Sequence, residues 1–270
     1  MSGSWLRKEI VSELIRSRRR GVLLGWLGLS AVLAALVNTV MFRAAADAGG
    51  GPTAAPGVDF PSVQVLESVE GLTAGVASAS SMLGVVTLAF WALLTASDYS
   101  TGFVRLLVVA QPRRWPLLLG KAVALALWTS CAAAVALVVN VGAAPAGAAS
   151  AGLDTAAWEA AAAGDLLSAW ARLLSALLVW GVLGLALATV TRSAAVAISA
   201  GVGYVLLLDG VLGALFDRVA DVLPGSVLTA LARGGTDAVT QSQAVVLGLA
   251  YAGVALAGSL LVLQRRDVTD

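Results

Sequence analysis

The chain has 270 residues, 59% of them hydrophobic and only 12% charged, with a mean hydropathy of +0.90 and a formal net charge of +1. Soluble domains carry about a quarter charged residues, so a water-soluble fold of this composition lacks the polar surface to cover itself, and the small net charge hides a strict alternation of basic and acidic segments. The absence of histidine excludes a Ser-His hydrolase, a His-ligated zinc protease and a haem with an axial imidazole.

The first twenty residues are too charged to cross a bilayer. From Leu6 to Arg18 the apolar side chains Leu6, Ile10, Val11, Leu14 and Ile15 share one arc of a helix, interrupted by Arg7, while Lys8, Glu9, Ser12, Glu13 and Arg16 lie opposite. A basic helix of this kind, with Trp5 near its start, lies in the headgroup layer with Leu and Ile buried and its cations toward anionic lipid or an acidic partner. The alternative is a plain basic flank that orients the first span.

Six apolar runs follow: Gly21 to Phe42, Ala74 to Ala96, Pro116 to Val141, Leu166 to Val190, Ala194 to Phe216 and Ala244 to Leu263. Each supplies about the twenty residues that roughly 30 Å of hydrocarbon requires. Thirteen of the seventeen basic residues fall before the first run, between the second and third, between the fourth and fifth, or after the sixth. The other connections are acidic, with Asp47, Asp59, Glu67 and Glu70 in one and Asp154, Glu159 and Asp165 in another. By the positive-inside rule this predicts an all-α, multi-pass protein of the cell membrane with six spans and both termini cytoplasmic, forming one transmembrane domain over residues 1–270. No cleavable signal peptide is expected.

Within this scheme individual residues carry further expectations. Gly49 to Gly57 reads as a mobile turn, and the outward connections hold no long folded domain. The lone Cys131 has no partner for an intrachain disulfide and reads as a small packing residue. Asn38 and Asn140 in spans one and three, and Asp209 in span five, are polar groups at membrane depth that either bond across helices or line a translocation path. Residues 223–235 read as a short re-entrant or surface helix, or as a simple amphipathic loop. Gly21 with Gly25, and Gly181, Gly184, Gly201, Gly203, Gly210 and Gly213, thin their helices for close packing, including at a seam between subunits. Trp26, Trp91, Trp128, Trp170 and Trp180 read as packing or lipid-facing aromatics, with Trp5 and Trp115 in the interfacial belt.

The connection between spans two and three is not a plain linker. It reads Ser97-Asp98-Tyr99-Ser100-Thr101-Gly102-Phe103-Val104-Arg105, continues through Leu106 to Gln111, and ends Pro112-Arg113-Arg114-Trp115-Pro116 before Gly120-Lys121. Gly102 is suited to ending span two, Ser100 or Thr101 to capping a new helix from Phe103 to Ala110, and Pro112 to stopping it. Gly120-Lys121 is no Walker A motif, because Trp115 stands where its first glycine belongs and Ala122 replaces the Ser or Thr that holds Mg²⁺.

On these residues the chain resembles the ABC-2 class of ABC transporter permeases: an acidic residue and Tyr after span two, a Gly-Thr-like pair, Arg105, apolar residues, then Pro112-Arg113-Arg114 and Lys121. The Arg7-Lys8-Glu9 helix and the closing Gln264-Arg265-Arg266-Asp267-Val268 are similar to the same class. Asp98 stands where many relatives carry Glu, and Thr101-Gly102 reverses the common order. The resemblance implies a permease subunit, driven by separate ATP-binding cassette subunits that hold ATP and Mg²⁺, paired with a second identical or homologous permease and embedded in lipid, with no nucleic-acid partner and no enzymatic activity of its own. It further implies that Asp98, Thr101, Gly102, Phe103, Arg105, Arg113 and Arg114 contact the ATPase as a coupling helix and that Arg7, Lys8, Glu9, Glu13 and Arg16 belong to a connecting helix. The expected function is export of hydrophobic or amphipathic compounds, against the alternatives of a secondary carrier or channel and of a non-transporting scaffold.

Overall fold

The computed structural model describes residues 3–17, 20–47, 54–55, 58–102, 115–205, 210–215 and 220–265, and of residues 3–9, 54–55, 58–59, 210 and 213–214 the backbone only. Nearly everything described is helical. In lipid no water is present to satisfy backbone groups, so an apolar chain must pair each N–H and C=O within its own segment. Helix α1 spans Gly3–Ser17, α2 Arg20–Asp47, α3 Val63–Leu66, α4 Gly71–Ser100, α5 Trp115–Ala151, α6 Ala163–Thr191, α7 Ala194–Gly203, α8 Gly210–Leu215, α9 Pro224–Arg233 and α10 Gln241–Arg265. A two-residue antiparallel pair, Ala54–Ala55 with Val58–Asp59, is the sole strand pairing among the described residues.

Helices α2, α4, α5, α6 and α10 are each long and apolar enough to cross a membrane. The fold is that of a polytopic helical membrane protein. Five of the expected spans coincide with these helices. Within the apolar run Ala194 to Phe216, α7 covers ten residues, Tyr204 and Val205 continue it in π conformation, residues 206–209 and 216 lie outside the described residues, and α8 covers Gly210–Leu215. Asp209 lies outside the described residues, as does most of the Gly49 to Gly57 turn.

Helix α5 runs ten residues beyond the expected end at Val141. Pro145 removes one backbone donor but does not stop the helix, because residues 142–151 are otherwise mostly alanine, the strongest helix former. The helix ends in a Schellman arrangement, with Gly152 at φ 68° and the Leu153 N–H donating to Ala148 O at 3.1 Å. Its last turns close one end of the bundle. Phe42, Leu66 and Trp158 are buried there, the Phe42 and Trp158 rings lie 6.3 Å apart, and Trp158 Nε1 donates to Leu66 O at 2.9 Å.

The centre of the bundle is the seam between α4 and α6, which pack on each other more extensively than any other pair. Apolar burial drives little in lipid, so close van der Waals contact must hold the helices, and small residues permit it. Gly181 faces the Trp91 ring, Gly84 faces Trp180, and Gly184 abuts the Leu88 backbone. Gly201 meets the Leu88 side chain. Gly181, Gly184 and Gly201 thus thin their helices for close packing within the chain, as expected, whereas Gly21, Gly25 and Gly203 have open space beside them. Helices α2 and α5 pack on one side of the seam, and α7, α9 and α10 on the other. Cys131 is exposed on the flank of α5, not packed inside as expected.

Residues 223–235 do form a helix. Pro224 opens α9, Gly234 closes it at φ 87°, and Val227, Leu228, Ala230 and Leu231 are buried against α4, α6 and α10. It is inserted into the bundle, not laid upon it. The Thr229 hydroxyl is 3.0 Å from Ser81, ten residues into α4, and Tyr251, ten residues into α10, donates to the Val222 carbonyl. Both partners lie about 15 Å from the helix ends.

Candidate functional site

The end of the bundle opposite the Trp158 cap gathers charge. Asp98 stands two residues before the end of α4, and Lys121 six residues into α5, so the two flank the connection 103–114. Lys121 Nζ bonds Asp98 Oδ2 and lies 3.8 Å from Glu13 Oε2 of α1. Arg16 pairs with Glu13 and reaches to 3.7 Å from Asp98 Oδ2. Two cations and two anions thus form one network, with Glu13 and Lys121 only 6% and 8% exposed. Buried ions are tolerated where each meets an opposite charge, and removing one partner strands the other. Beside the network lies a cavity of about 260 Å³, lined also by Ser97, Thr101 and Leu94.

The network docks α1 against α5. Ser17 is buried and accepts a hydrogen bond from Trp128 Nε1 at 3.0 Å, while Val11 and Ile15 point outward, Ile15 being 71% exposed. Glu13 and Arg16 thus face the protein while Val11 and Ile15 face out, and Arg16 meets acidic partners within the chain, one of the two placements expected for the cations of this helix. The reason is physical, since lipid accepts Ile15 at no penalty whereas Glu13 needs cations, which α5 provides. The side chains of Arg7, Lys8 and Glu9 lie outside the described residues.

On its other flank the end of α4 is held by aromatic contact. Arg192, which closes α6 in the left-handed conformation at φ 54°, sets its guanidinium 5.9 Å from the centre of the Tyr99 ring. Gly102 ends α4 at φ 69° as expected, and the Thr101 hydroxyl turns back to Ser97 O at 2.8 Å. Phe103, Arg105, Arg113, Arg114 and the expected helix from Phe103 to Ala110 lie outside the described residues. Of the expected coupling and connecting residues, the structure thus brings together Glu13, Arg16, Asp98 and Thr101.

Lys121, Tyr99 and Arg192 join the site although none is among the expected coupling residues. Tyr99 and Lys121 enter the sequence reading only through the family resemblance and the count of cytoplasmic cations, although a lysine two turns inside an apolar helix signals a carboxylate partner.

Asn38 and Asn140 stand elsewhere, near the Trp158 cap. Asn38 Nδ2 donates to Asn140 O at 3.0 Å and Asn140 Nδ2 to Leu72 O at 2.9 Å, so the pair ties α2, α5 and α4 together. Both residues are fully buried. They act as interhelical hydrogen bonders, and Gly75 leaves the space that the Asn140 carboxamide fills. Asn140→Ala is expected to weaken the bundle by about 1–2 kcal/mol, a lost membrane hydrogen bond plus a small cavity, read as a lower unfolding midpoint in detergent.

No protein-family model matches the chain, and no curated protein is similar to it in sequence.

Proposed function

We propose that the chain is the transmembrane subunit of an ATP-driven exporter of the ABC-2 permease class, moving hydrophobic or amphipathic compounds with energy from a separate ATPase. The observation that carries this reading is the ion network joining Glu13, Arg16, Asp98 and Lys121. A soluble motor moves membrane helices only through rigid parts docked on it. The connection 103–114 is the segment such a motor would grip, and both of its roots are tied to each other and to α1. In this reading the connection faces the cytoplasm and touches the ATPase through Asp98, Arg105, Arg113 and Arg114. The Ala194 to Phe216 stretch supplies the sixth span, and both termini are cytoplasmic. A second permease subunit, identical or homologous, completes the pathway.

The Arg105→Glu, Arg113→Glu double variant is expected to keep its spans folded and its partner's ATP hydrolysis while coupled transport falls at least about tenfold, one lost charged contact of roughly 1.4 kcal/mol or more. The assay is transport and hydrolysis measured together in proteoliposomes. Full coupled activity in that variant, failure of any ATPase to co-purify in gentle detergent, or an external tag signal from residues 103–114 would overturn the reading.

A further inference from the structure

The end of the bundle near the Trp158 cap holds a second cavity, of about 370 Å³, between α4, α6 and α9. That is within the size range of small-molecule sites. Arg172 lies on its wall, nine residues into α6 and so about 14 Å from that helix end. Its guanidinium donates to two neutral acceptors, Arg233 O at 3.1 Å and Ser168 Oγ at 3.0 Å. Among the described residues no carboxylate pairs with it. A guanidinium has five donors, so each of the two engaged nitrogens keeps a hydrogen for an incoming anion in the forked geometry that carboxylates and phosphates accept. At such depth a cation without counter-charge is costly and marks a place where an anion settles.

The lining also carries the carboxylates Glu70 and Asp237, both exposed and paired with no cation among the described residues, and Arg233, whose carbonyl Arg172 already engages. Ala74 and Val76 add an apolar wall. The cavity thus presents cation and carboxylate together: a purely anionic ligand meets the two carboxylates, a purely cationic one meets Arg172, and an uncharged one matches neither. We propose that this cavity binds the zwitterionic headgroup of an amphiphile, its phosphate or carboxylate on Arg172 and its ammonium between Glu70 and Asp237. The site stands on the cavity and its charges, independently of any ATPase.

The test titrates the full chain in maltoside micelles with dihexanoyl phosphatidylethanolamine, with dihexanoyl phosphatidylglycerol, which has the phosphate without the amine, and with soluble phosphoethanolamine, reading bound ligand by native mass spectrometry. The ethanolamine lipid is expected to saturate and the glycerol lipid to bind at least about tenfold more weakly, one charged hydrogen bond being worth about 1.5–3 kcal/mol. Arg172→Gln is expected to weaken both lipids, and the exposed pair Glu70→Gln, Asp237→Asn only the ethanolamine lipid. Arg172→Lys, which keeps the charge, is expected to retain partial binding and guards against a folding artefact. Phosphoethanolamine binding as tightly as the lipid supports the site with a soluble zwitterion as its occupant. Equal affinity for the two lipids, or unchanged ethanolamine-lipid binding in the Glu70→Gln, Asp237→Asn protein, overturns the proposal.

Discussion

Replacing Lys121 with glutamate is expected to release α1 from the bundle and to lower stability by about 3–5 kcal/mol, the usual consequence of removing one partner from a buried ion pair. The variant places three carboxylates, those of Glu13, Asp98 and the new side chain, around Arg16 alone. Unfolding in detergent, followed by the fluorescence of Trp128, whose indole bonds Ser17 at the end of α1, reads both the stability and the docking. The exchange Asp98→Lys with Lys121→Asp keeps that pair opposite in sign but sets the new lysine beside Arg16 and the new aspartate beside Glu13, so it is expected to recover only part of the loss. Arg20→Gln, at an exposed position, is expected to change stability by no more than about 0.5 kcal/mol. An unfolding curve for Lys121→Glu that overlays the parent curve would sink the role given to the network.

Gly184→Val is expected to be the most damaging substitution in the seam between α4 and α6. A Cβ at position 184 comes within 3.0 Å of Leu88 C and Cα and closer still to Leu88 O. Those are backbone atoms of a helix, and no rotamer change moves them aside. The two helices must separate, and their contacts fall away along the whole seam. Overpacking in ordinary cores costs about 1–3 kcal/mol, and a backbone clash at the main seam is expected at or above the top of that range, seen as little folded protein after extraction. Gly25→Val adds its methyl groups to open space and is expected to leave the yield of folded protein unchanged. Equal yields of the two variants would contradict the seam as described.

Much of this architecture is legible in the residue order, because an apolar run of twenty or more residues has few alternatives to a spanning helix. The runs beginning at Gly21, Ala74, Pro116, Leu166 and Ala244 all match helices within a few residues at their starts. The run Ala194 to Phe216 is equally apolar, yet hydropathy does not foretell the turn to π conformation at Tyr204 and Val205. The expected span stops at Val141 although α5 continues to Ala151, because the residues beyond Val141 are small and only weakly apolar, and small residues are also what pack against Phe42. The charged joint was half legible. Its residues were visible as charges at span ends, but the outward turn of Ile15 and the inward turn of Glu13 follow from where Lys121 stands in three dimensions. Arg172 went unweighed because a single cation within a long hydrophobic run barely alters its average.

Helix α5 begins at the charged joint and ends under the Trp158 cap. From Lys121 to Ala148 it covers about 40 Å as one continuous helix. A rod of that length pivoting at its middle through about five degrees swings each tip by roughly 2 Å, in opposite directions. Were the proposed ATPase to pivot α5 as one rod, a displacement imposed near Asp98 would reach the far end inverted, where Gly147 bears on Phe42, and the two ends of the bundle would move in opposite senses.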